Sequence, residues 1–425
     1  MNSLLISGAR ILDPASGFDG PGFLGLRDGR IDYFSGDAPA GKYDDKLNGE
    51  GLWLTPGLID LCARLREPGH SHKATIKSEL IAARASGITA LCVPPDTDPV
   101  IDNPSVVDWL NQRVDQLHSA DVHLLGALTV GLKGEALAEL GALAHAGCVG
   151  AMQLGAPLHN LQLARRALEY AANFSLTVHV QACEASLADD GCAHEGPVAT
   201  SLGLPGIPVA AETVAIAQWL ELAQQTGASI HFCRLSSGRG AQMLAQAKAA
   251  GLSVSADVAI HQLYLTEADL LGFNASAHVL PPARSEADRQ ALREAVATGV
   301  ISAICSDHQP HDVDAKTNPL PMTEAGVSAL ESWLPLSLAL VEDGLMTPLE
   351  MVSRMTTWPA LILGAGGGSL AVGEYANLAL IDPAEQWVLQ PETMLSRGRN
   401  TPFAGWTMRG RVQQTYYRGH QVYAR

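Results

Sequence analysis

The sequence predicts an α/β protein, a (β/α)8 TIM barrel with a small β-domain composed from both ends of the chain. Between residues 54 and 369, short apolar segments alternate with alanine-rich segments of helical periodicity. On either side, residues 1–53 and 370–425 contain short alternating strands broken by glycine turns. We therefore predict two domains: a barrel of residues 54–369, and a composite β-sandwich-like domain of 1–53 plus 370–425.

The elements follow in order along the chain. In the terminal regions, Arg27–Arg30 and Arg418–Gly419 have the composition of hairpin turns. The barrel strand candidates are 54–60, 89–93, 122–127, 147–151, 176–180, 229–233, 252–256 and 301–305. Helices are predicted between them at 75–86, 104–118, 134–146, 158–173, 209–227, 238–250 and 286–298. Eight such units over about 300 residues fit a barrel whose chemistry lies at the carboxyl ends of the strands.

Composition narrows the class of protein. The chain has 425 residues and a formal net charge of −16, so no basic stripe is available for nucleic acid. Its seven cysteines form no CxxC pair, which predicts buried, reduced thiols. The amino terminus lacks the pattern of a signal peptide, and no uncharged apolar run approaches the roughly 20 residues of a membrane helix. We expect a cytoplasmic protein without a membrane or nucleic-acid partner.

Seven motifs in a fixed order carry a resemblance to a known family. They are Pro56–Gly69, Asp96–Val100, Leu202–Pro208 with Ala211-Glu212, Pro281–Arg284 with Asp288-Arg289, Ser306–His311, Gly326 with Leu330-Glu331, and Pro402–Trp406. With these motifs the chain resembles the dihydroorotases of the amidohydrolase superfamily over nearly its whole length. That resemblance implies the same barrel fold.

The same resemblance implies that the metal ligands have been replaced. A complete family site uses a His-x-His pair, a bridging acid or modified lysine, two further histidines and an aspartate. The corresponding positions here are Cys62 and Arg64 for the pair, Gln153 and Leu154 for the bridging acid, and Gln181 and Arg234 for the two histidines. Only Asp307 remains. Arginine has no lone pair to offer, and one carboxylate does not hold a catalytic zinc ion.

We therefore predict an inactive site with no catalytic residue, no cofactor and no bound metal. Its retained or altered substrate positions are Arg66, Asp96 and His311, together with Asp307. Arg66 either binds a carboxylate ligand or pairs with Glu67 or Asp96, and the sequence favours neither. His311 is expected to position its own loop, and His308 to be part of the scaffold.

Two further expectations concern charge and metal. Arg64 and Arg234 should meet at the barrel mouth, where one of them is predicted to pair with Asp307. The alternative is a shifted mononuclear metal site, formed by His179 with Cys62, Cys183 and Asp307. His231 and His261 are expected to be core residues.

Three functions remain open from the sequence. The resemblance implies a non-catalytic subunit of a large hetero-oligomer, built on trimers of the aspartate carbamoyltransferase catalytic chain in pyrimidine biosynthesis. A homodimer is the corresponding option for the chain alone. The second function is a metal-dependent cyclic amidohydrolase, of dihydroorotase or hydantoinase type, with a remodelled site. The third is a regulatory module that binds a carboxylate through Arg66.

Overall fold

A computed structural model describes residues 3–154 and 160–425. Over these ranges the chain forms two eight-stranded sheets and one two-stranded ribbon. The strands are β1 (Leu4–Asp13), β2 (Phe18–Arg27), β3 (Arg30–Ser35), β4 (Asp45–Asn48), β5 (Trp53–Pro56), β6 (Leu58–Asp60), β7 (Ile88–Val93), β8 (Asp121–Ala127), β9 (Gly150–Gln153), β10 (Thr177–Val180), β11 (Ala193–His194), β12 (Gly206–Ile207), β13 (Ile230–Phe232), β14 (Val254–Ala259), β15 (Ala303–Cys305), β16 (Leu378–Val388), β17 (Thr407–Tyr417) and β18 (His420–Ala424).

The helices lie mainly between the barrel strands. They are α1 (Ile76–Ala85), α2 (Pro104–Asp115), α3 (Leu140–His145), α4 (Leu161–Ala172), α5 (Ala185–Ala188), α6 (Pro197–Leu202), α7 (Val209–Thr226), α8 (Gly238–Ala249), α9 (Glu286–Ala297), α10 (Leu330–Glu342), α11 (Pro348–Met355) and α12 (Thr357–Leu363). Short 3-10 turns occur at Val130–Leu132, Ile260–Leu263, Glu267–Leu270, Ala275–Ala277, Asp314–Lys316, Leu320–Met322 and Pro391–Thr393. None of the described helices is long and apolar enough to cross a membrane.

The predicted barrel is confirmed. Its strands are hydrogen-bonded in the order β15-β14-β13-β10-β9-β8-β7-β6, and every pair is parallel. An isolated parallel bridge between Ala63 and His308 joins the chain after β6 to the chain after β15. The Arg64 and His308 amides donate across this bridge to the His308 and Cys62 carbonyls. The seam therefore closes beside the positions that the sequence assigns to the site.

Several element predictions were partly wrong. The strand predicted at 147–151 begins only at Gly150 and continues to Gln153 as β9. The segment 54–60 is not one strand: β5 pairs with β1 and β16 in the terminal sheet, and only β6 belongs to the barrel. Gly57 lies between the two strands. Only glycine fits there, because a Cβ would lie 2.0 Å from Thr89 Oγ1. The helix predicted at 134–146 is reduced to α3, since Gly134 has a φ value of 72° and the chain at Leu137 forms an antiparallel bridge with Thr129 instead. Residues 158 and 159 of the helix predicted at 158–173 lie outside the described residues.

Both ends of the chain build the second sheet, in the order β18-β17-β16-β5-β1-β2-β3, with β4 paired to β1. The two predicted hairpin turns are confirmed. Asp28 and Gly29 have φ values of 51° and 78°, and Arg418 and Gly419 have φ values of 49° and 78°. Side chains of this sheet form an apolar core of their own, separate from that of the barrel.

The barrel strands have two apolar faces. Outward residues such as Val178 and Phe232 pack beneath the helices in the largest core cluster. Inward residues such as Ile59, Cys92 and Met152 form a second cluster inside the barrel. Six of the seven cysteines are buried free thiols, as expected, and Cys183 is exposed.

Candidate functional site

A cavity of about 400 Å³ opens at the carboxyl ends of the barrel strands. Arg64 and Gln181 form part of its polar wall, and Leu154, Trp219 and Leu280 are among its apolar residues. Its position agrees with the expectation for a barrel of this class.

Four positions from the sequence prediction converge there on one buried cluster. Arg64 Nη1 lies 3.2 Å from Asp307 Oδ1, and Arg234 Nη1 lies 3.5 Å from the same oxygen. Arg234 Nη1 also donates to Cys62 Sγ at 2.8 Å. Burial raises the pKa of the Cys62 thiol to about 12, although Arg234 opposes this shift. The predicted ion pair is confirmed, and both arginines rather than one contact Asp307.

Three residues of the site region have an unusual backbone conformation. Arg66, Arg234 and Asp307 have φ values of 63°, 55° and 46°, in the left-handed region. Non-glycine residues seldom adopt it, because Cβ crowds the carbonyl oxygen. Asp60 supports the turn after β15 by accepting hydrogen bonds from the Ser306 amide and hydroxyl.

Arg64 and Arg66 contact different partners. Arg64 Nε donates to Asp96 Oδ2 at 2.7 Å. Burial opposes ionisation of Asp96, but the charge and hydrogen bond of Arg64, together with the charges of Arg66 and Arg234, outweigh it and lower the pKa of this carboxyl. Arg66 Nε donates to the Pro310 carbonyl at 2.9 Å, and Nη2 lies 3.1 Å from His311 Nε2. Neither Glu67 nor Asp96 is therefore its hydrogen-bonded partner.

The amide side chains at the positions that the resemblance assigns to metal ligands also form hydrogen bonds. Gln181 Oε1 accepts a hydrogen bond from Arg234 Nη2 at 2.6 Å. Gln153 Oε1 accepts from Thr129 Oγ1 at 2.8 Å, and its Nε2 donates to the Leu132 carbonyl at 2.9 Å. The neighbouring Leu154 is buried and contributes only apolar surface.

These residues do not fit the catalytic metal that the resemblance implies. Among the residues that the structure describes, the donors at these positions are Cys62 Sγ, Gln181 Oε1 and the Asp307 carboxylate, and each contacts a guanidinium group. Two arginine cations beside the donors repel a divalent ion and occupy the lone pairs that it would need. No hydrolytic step through a metal at this position follows from the structure.

The two histidines of the loop after β15 hold the scaffold. His308 is fully buried, with Nε2 2.7 Å from Glu79 Oε2 and Nδ1 accepting from the Ala329 amide. His311 Nε2 lies 3.0 Å from the Ala325 carbonyl. Burial and the charge of Arg66 lower the pKa of His311 to about 3, so its ring is neutral. These contacts agree with the scaffold role expected for His308 and the loop-positioning role expected for His311.

The alternative metal site is wrong in its membership. Cys183 is exposed at the cavity wall, away from the buried His179. Among the described residues, His179 instead groups with His231 and Cys233. His231 and His261 are both fully buried, in agreement with the core role expected for them.

Sequence reasoning missed one buried network beside the cavity. The Glu212 carboxylate accepts hydrogen bonds from the amides and hydroxyls of Ser236 and Ser237. Arg284 Nε donates to Ser236 Oγ at 2.8 Å, and its Nη1 donates to the Ile207 carbonyl at 3.1 Å. This explains physically why Glu212 and Arg284 occur within two of the recognised motifs. The adjacent serines after β13 were the available signal.

Comparison with known proteins places this architecture in a family. The sequence model of the Dihydro-orotase-like family matches residues 51–239. A Dihydroorotase-like protein of Pseudomonas aeruginosa is 47% identical over 419 residues, which cover 98% of this chain and 99% of that protein. The chain belongs to the dihydroorotase-like family. A Dihydroorotase of Geobacter sp. (strain M21) is 38% identical to this dihydroorotase-like chain over 421 residues, 99% of each.

Solved structures show the same fold. The L-Hydantoinase (Dihydropyrimidinase) from Arthrobacter aurescens superposes with a TM-score of 0.90, covering 100% of this chain and 96% of its own. A D-hydantoinase structure has a TM-score of 0.85 and covers 100% of this chain and 95% of its own. Both are 21% identical in sequence to the dihydroorotase-like chain, so they show a shared fold alone.

Proposed function

We propose that this chain is a non-catalytic dihydroorotase homologue that serves as a structural subunit for aspartate carbamoyltransferase in de novo pyrimidine biosynthesis. The observation that supports the non-catalytic half is the contact of Arg64 and Arg234 with Asp307 and Cys62. These arginines neutralise the carboxylate that a metal would otherwise need.

The chemistry of cyclic amide hydrolysis explains why this cluster matters. A metal ion lowers the pKa of its bound water towards neutrality and polarises the carbonyl. A carboxylate acts as general base only if a proton of the attacking group is within its reach. Asp307 is 1% exposed and lies against two guanidinium groups and the Gln309 amide. In our proposal this burial and pairing prevent Asp307 from acting as the general base of hydrolysis.

The assembly half of the proposal rests on the family resemblance. That resemblance implies an association with the transferase, in which chains of this kind hold its trimers in a larger hetero-oligomer. The relatives from Pseudomonas aeruginosa and Pseudomonas putida, 47% and 46% identical, are named Dihydroorotase-like protein. Since the barrel mouth is closed to chemistry in this proposal, function depends on the outer surface.

Co-expression with the carbamoyltransferase of the same organism tests the assembly role. We expect the two chains to elute together from a size-exclusion column, at a mass well above that of a transferase trimer. Transferase expressed alone should be less active or differently regulated. Separate elution, with transferase fully active alone, would contradict the assembly proposal. The same purified chain should give no turnover of dihydroorotate or carbamoyl aspartate with added zinc.

A metal-dependent cyclic amidohydrolase is the second candidate. It is favoured by relatives named Dihydroorotase that align over 99% of this chain at 38% and 39% identity. It predicts turnover that increases with added metal and is abolished by Asp307→Asn. Such turnover would overturn the non-catalytic proposal even if the chain also bound the transferase.

A further inference from the structure

We propose that the barrel interior contains a structural zinc site formed by His179, His231 and Cys233, beneath the former catalytic position. A ring nitrogen of each histidine and the Cys233 Sγ lie within 4.8 Å of one another. The Arg64 and Arg234 guanidinium groups, Gln181 and Asp307 take no part in it. It is a different site from the one that hydrolytic relatives would use.

Strand register brings the three side chains together. His179 and His231 are register partners on the neighbouring parallel strands β10 and β13. Cys233 follows His231 by two residues, so its side chain points to the same face of the sheet. His179 Nδ1 is already 3.9 Å from Cys233 Sγ. Zinc–nitrogen and zinc–sulfur bonds of about 2.0 and 2.3 Å place such donors roughly 3.5 Å apart, so a small contraction suffices.

The histidine on β10 is buried and has one ring nitrogen without a hydrogen-bond partner among the described residues. His179 is 1% exposed, and its Nε2 has no hydrogen-bond partner among the described residues. An unsatisfied buried polar group costs about 1–3 kcal/mol. Gly150 leaves room for this imidazole, because a Cβ there would lie 3.0 Å from His179 Cδ2. Coordination of a cation through one ring nitrogen gives this ring a stronger polar partner than its weak contact with Cys233 Sγ.

The histidine on β13 is oriented in the manner of a metal ligand. His231 Nε2 lies 2.9 Å from Asp257 Oδ2, and Nδ1 lies 2.8 Å from Ser255 Oγ. A carboxylate that accepts one ring N–H leaves the lone pair on the other nitrogen and strengthens it as a donor. The hydroxyl of Ser255 now occupies that lone pair and can rotate away when an ion binds.

The charges and the access route also suit a divalent ion. Zinc with one thiolate has a charge of +1, and the Asp257 carboxylate beside it balances that charge, while the nearby Arg234 cation is paired with Asp307. Ser229 and Ser253 are exposed, with their hydroxyl oxygens 2.9 Å apart, and Ser255 is half-buried. Ser229 directly precedes β13 and lies two residues before His231, on the same face, and Ser253 has the same relation to Ser255. Polar side chains therefore lie between the amino-terminal end of the barrel and His231.

Two imidazoles and a thiolate are donors typical of zinc, whereas magnesium and calcium prefer oxygen. The ligands are buried, so no substrate reaches the ion, and the site stabilises the barrel rather than performing hydrolysis. The inference therefore does not depend on the proposed function, and either can fail without the other.

Metal analysis of the full-length chain tests it. After incubation with zinc sulfate and exhaustive dialysis, we expect about one zinc ion per chain in the wild type. Cys233→Ser should retain less than a tenth of that amount. Cys92→Ser is the matched control, because this thiol is also fully buried inside the barrel but lies outside the group. It should retain the full amount.

Cobalt substitution supplies a readout specific to the thiolate. The wild type and Cys92→Ser should show a near-ultraviolet thiolate-to-cobalt charge-transfer band that Cys233→Ser lacks. If Cys233→Ser does not fold, His179→Gln is analysed in the same way and should also lose the zinc. Wild type without stoichiometric zinc, or equal zinc in the wild type and either ligand variant, would overturn the inference. Zinc bound without turnover would support it and leave the non-catalytic proposal intact.

Discussion

Replacement of Asp307 by asparagine tests whether this carboxylate serves as the counter-charge of the buried arginines. Asparagine has nearly the same shape and tolerates the left-handed backbone found at this position, where φ is 46°. The substitution therefore removes the charge with little steric effect. Arg64 and Arg234 then remain in the barrel mouth without this partner.

The magnitude follows from what each arginine keeps. Removal of one partner of a buried ion pair costs about 3–5 kcal/mol. Arg64 retains its contact with Asp96, and Arg234 retains Gln181 and Cys62. We therefore expect a loss near the lower limit, about 3 kcal/mol of unfolding free energy. With a urea dependence of about 3 kcal/mol per M, the unfolding midpoint falls by about 1 M.

Urea unfolding followed by tryptophan fluorescence measures this shift. The matched control is Asp19→Asn, which breaks the Arg10–Asp19 ion pair on the surface. That pair is shorter, at 2.6 Å, but its two side chains are 42% and 29% exposed. Exposed pairs contribute about 0–1 kcal/mol, so the control should lower the midpoint by less than about 0.3 M.

Equal shifts in the two variants would refute the reasoning, because they would show that burial adds nothing to the contribution of the Asp307 ion pair. A midpoint that rises in Asp307→Asn would be a stronger contradiction. It would mean that the folded chain contains uncompensated negative charge, as in a vacant metal site.

Three other predictions concern the surrounding residues. Burial raises the pKa of Asp60 to about 7, from an unfolded value of 3.8, so this carboxyl keeps its proton to higher pH in the folded state. Its contribution to stability therefore falls as the pH rises from about 4 to 7. Over that window, the unfolding free energy of the wild type minus that of Asp60→Asn should fall. A difference that is flat or rises would contradict this. Glu212→Gln should lower the free energy of unfolding, measured in urea, by about 3 kcal/mol. The NH2 group of the new glutamine would face a backbone N–H of Ser236 or Ser237 and could not accept its hydrogen bond. A loss below about 1 kcal/mol would refute this prediction. Calorimetric titration with carbamoyl aspartate should give no heat of binding with wild type or Arg66→Ala, since Arg66 already contacts Pro310 and His311. A heat of binding that is present in the wild type and lost in Arg66→Ala would instead support the carboxylate-binding module.

Local patterns in the sequence predicted the barrel well, and they failed where the fold overrides local preference. The apolar segment 54–60 has the composition of one strand, yet close packing at Gly57 divides it between two sheets. The helical composition of 134–146 is interrupted by left-handed residues before α3. Periodicity records which face of a segment is buried, but it does not record which sheet receives that face.

The candidate site shows the same division. Motif order identified Asp307 and its arginines, because each follows a recognisable strand. It did not identify the partners of Arg66, which are a backbone carbonyl and a histidine 245 residues away. The grouping of His179 with His231 and Cys233 was also missed, since it depends on the register between β10 and β13.

The sequence by itself determined the alternation of strands and helices and the order of the family motifs, and through the resemblance it predicted that the ligand residues are replaced. Only the tertiary structure decided that both arginines reach one carboxylate. Arg64 and Asp307 are 243 residues apart, and Cys62 and Arg234 are 172 residues apart. Barrel closure between Ala63 and His308, with left-handed turns at Arg234 and Asp307, brings these groups into contact. Side-chain identity is local, whereas the ion pairs depend on where distant strands end.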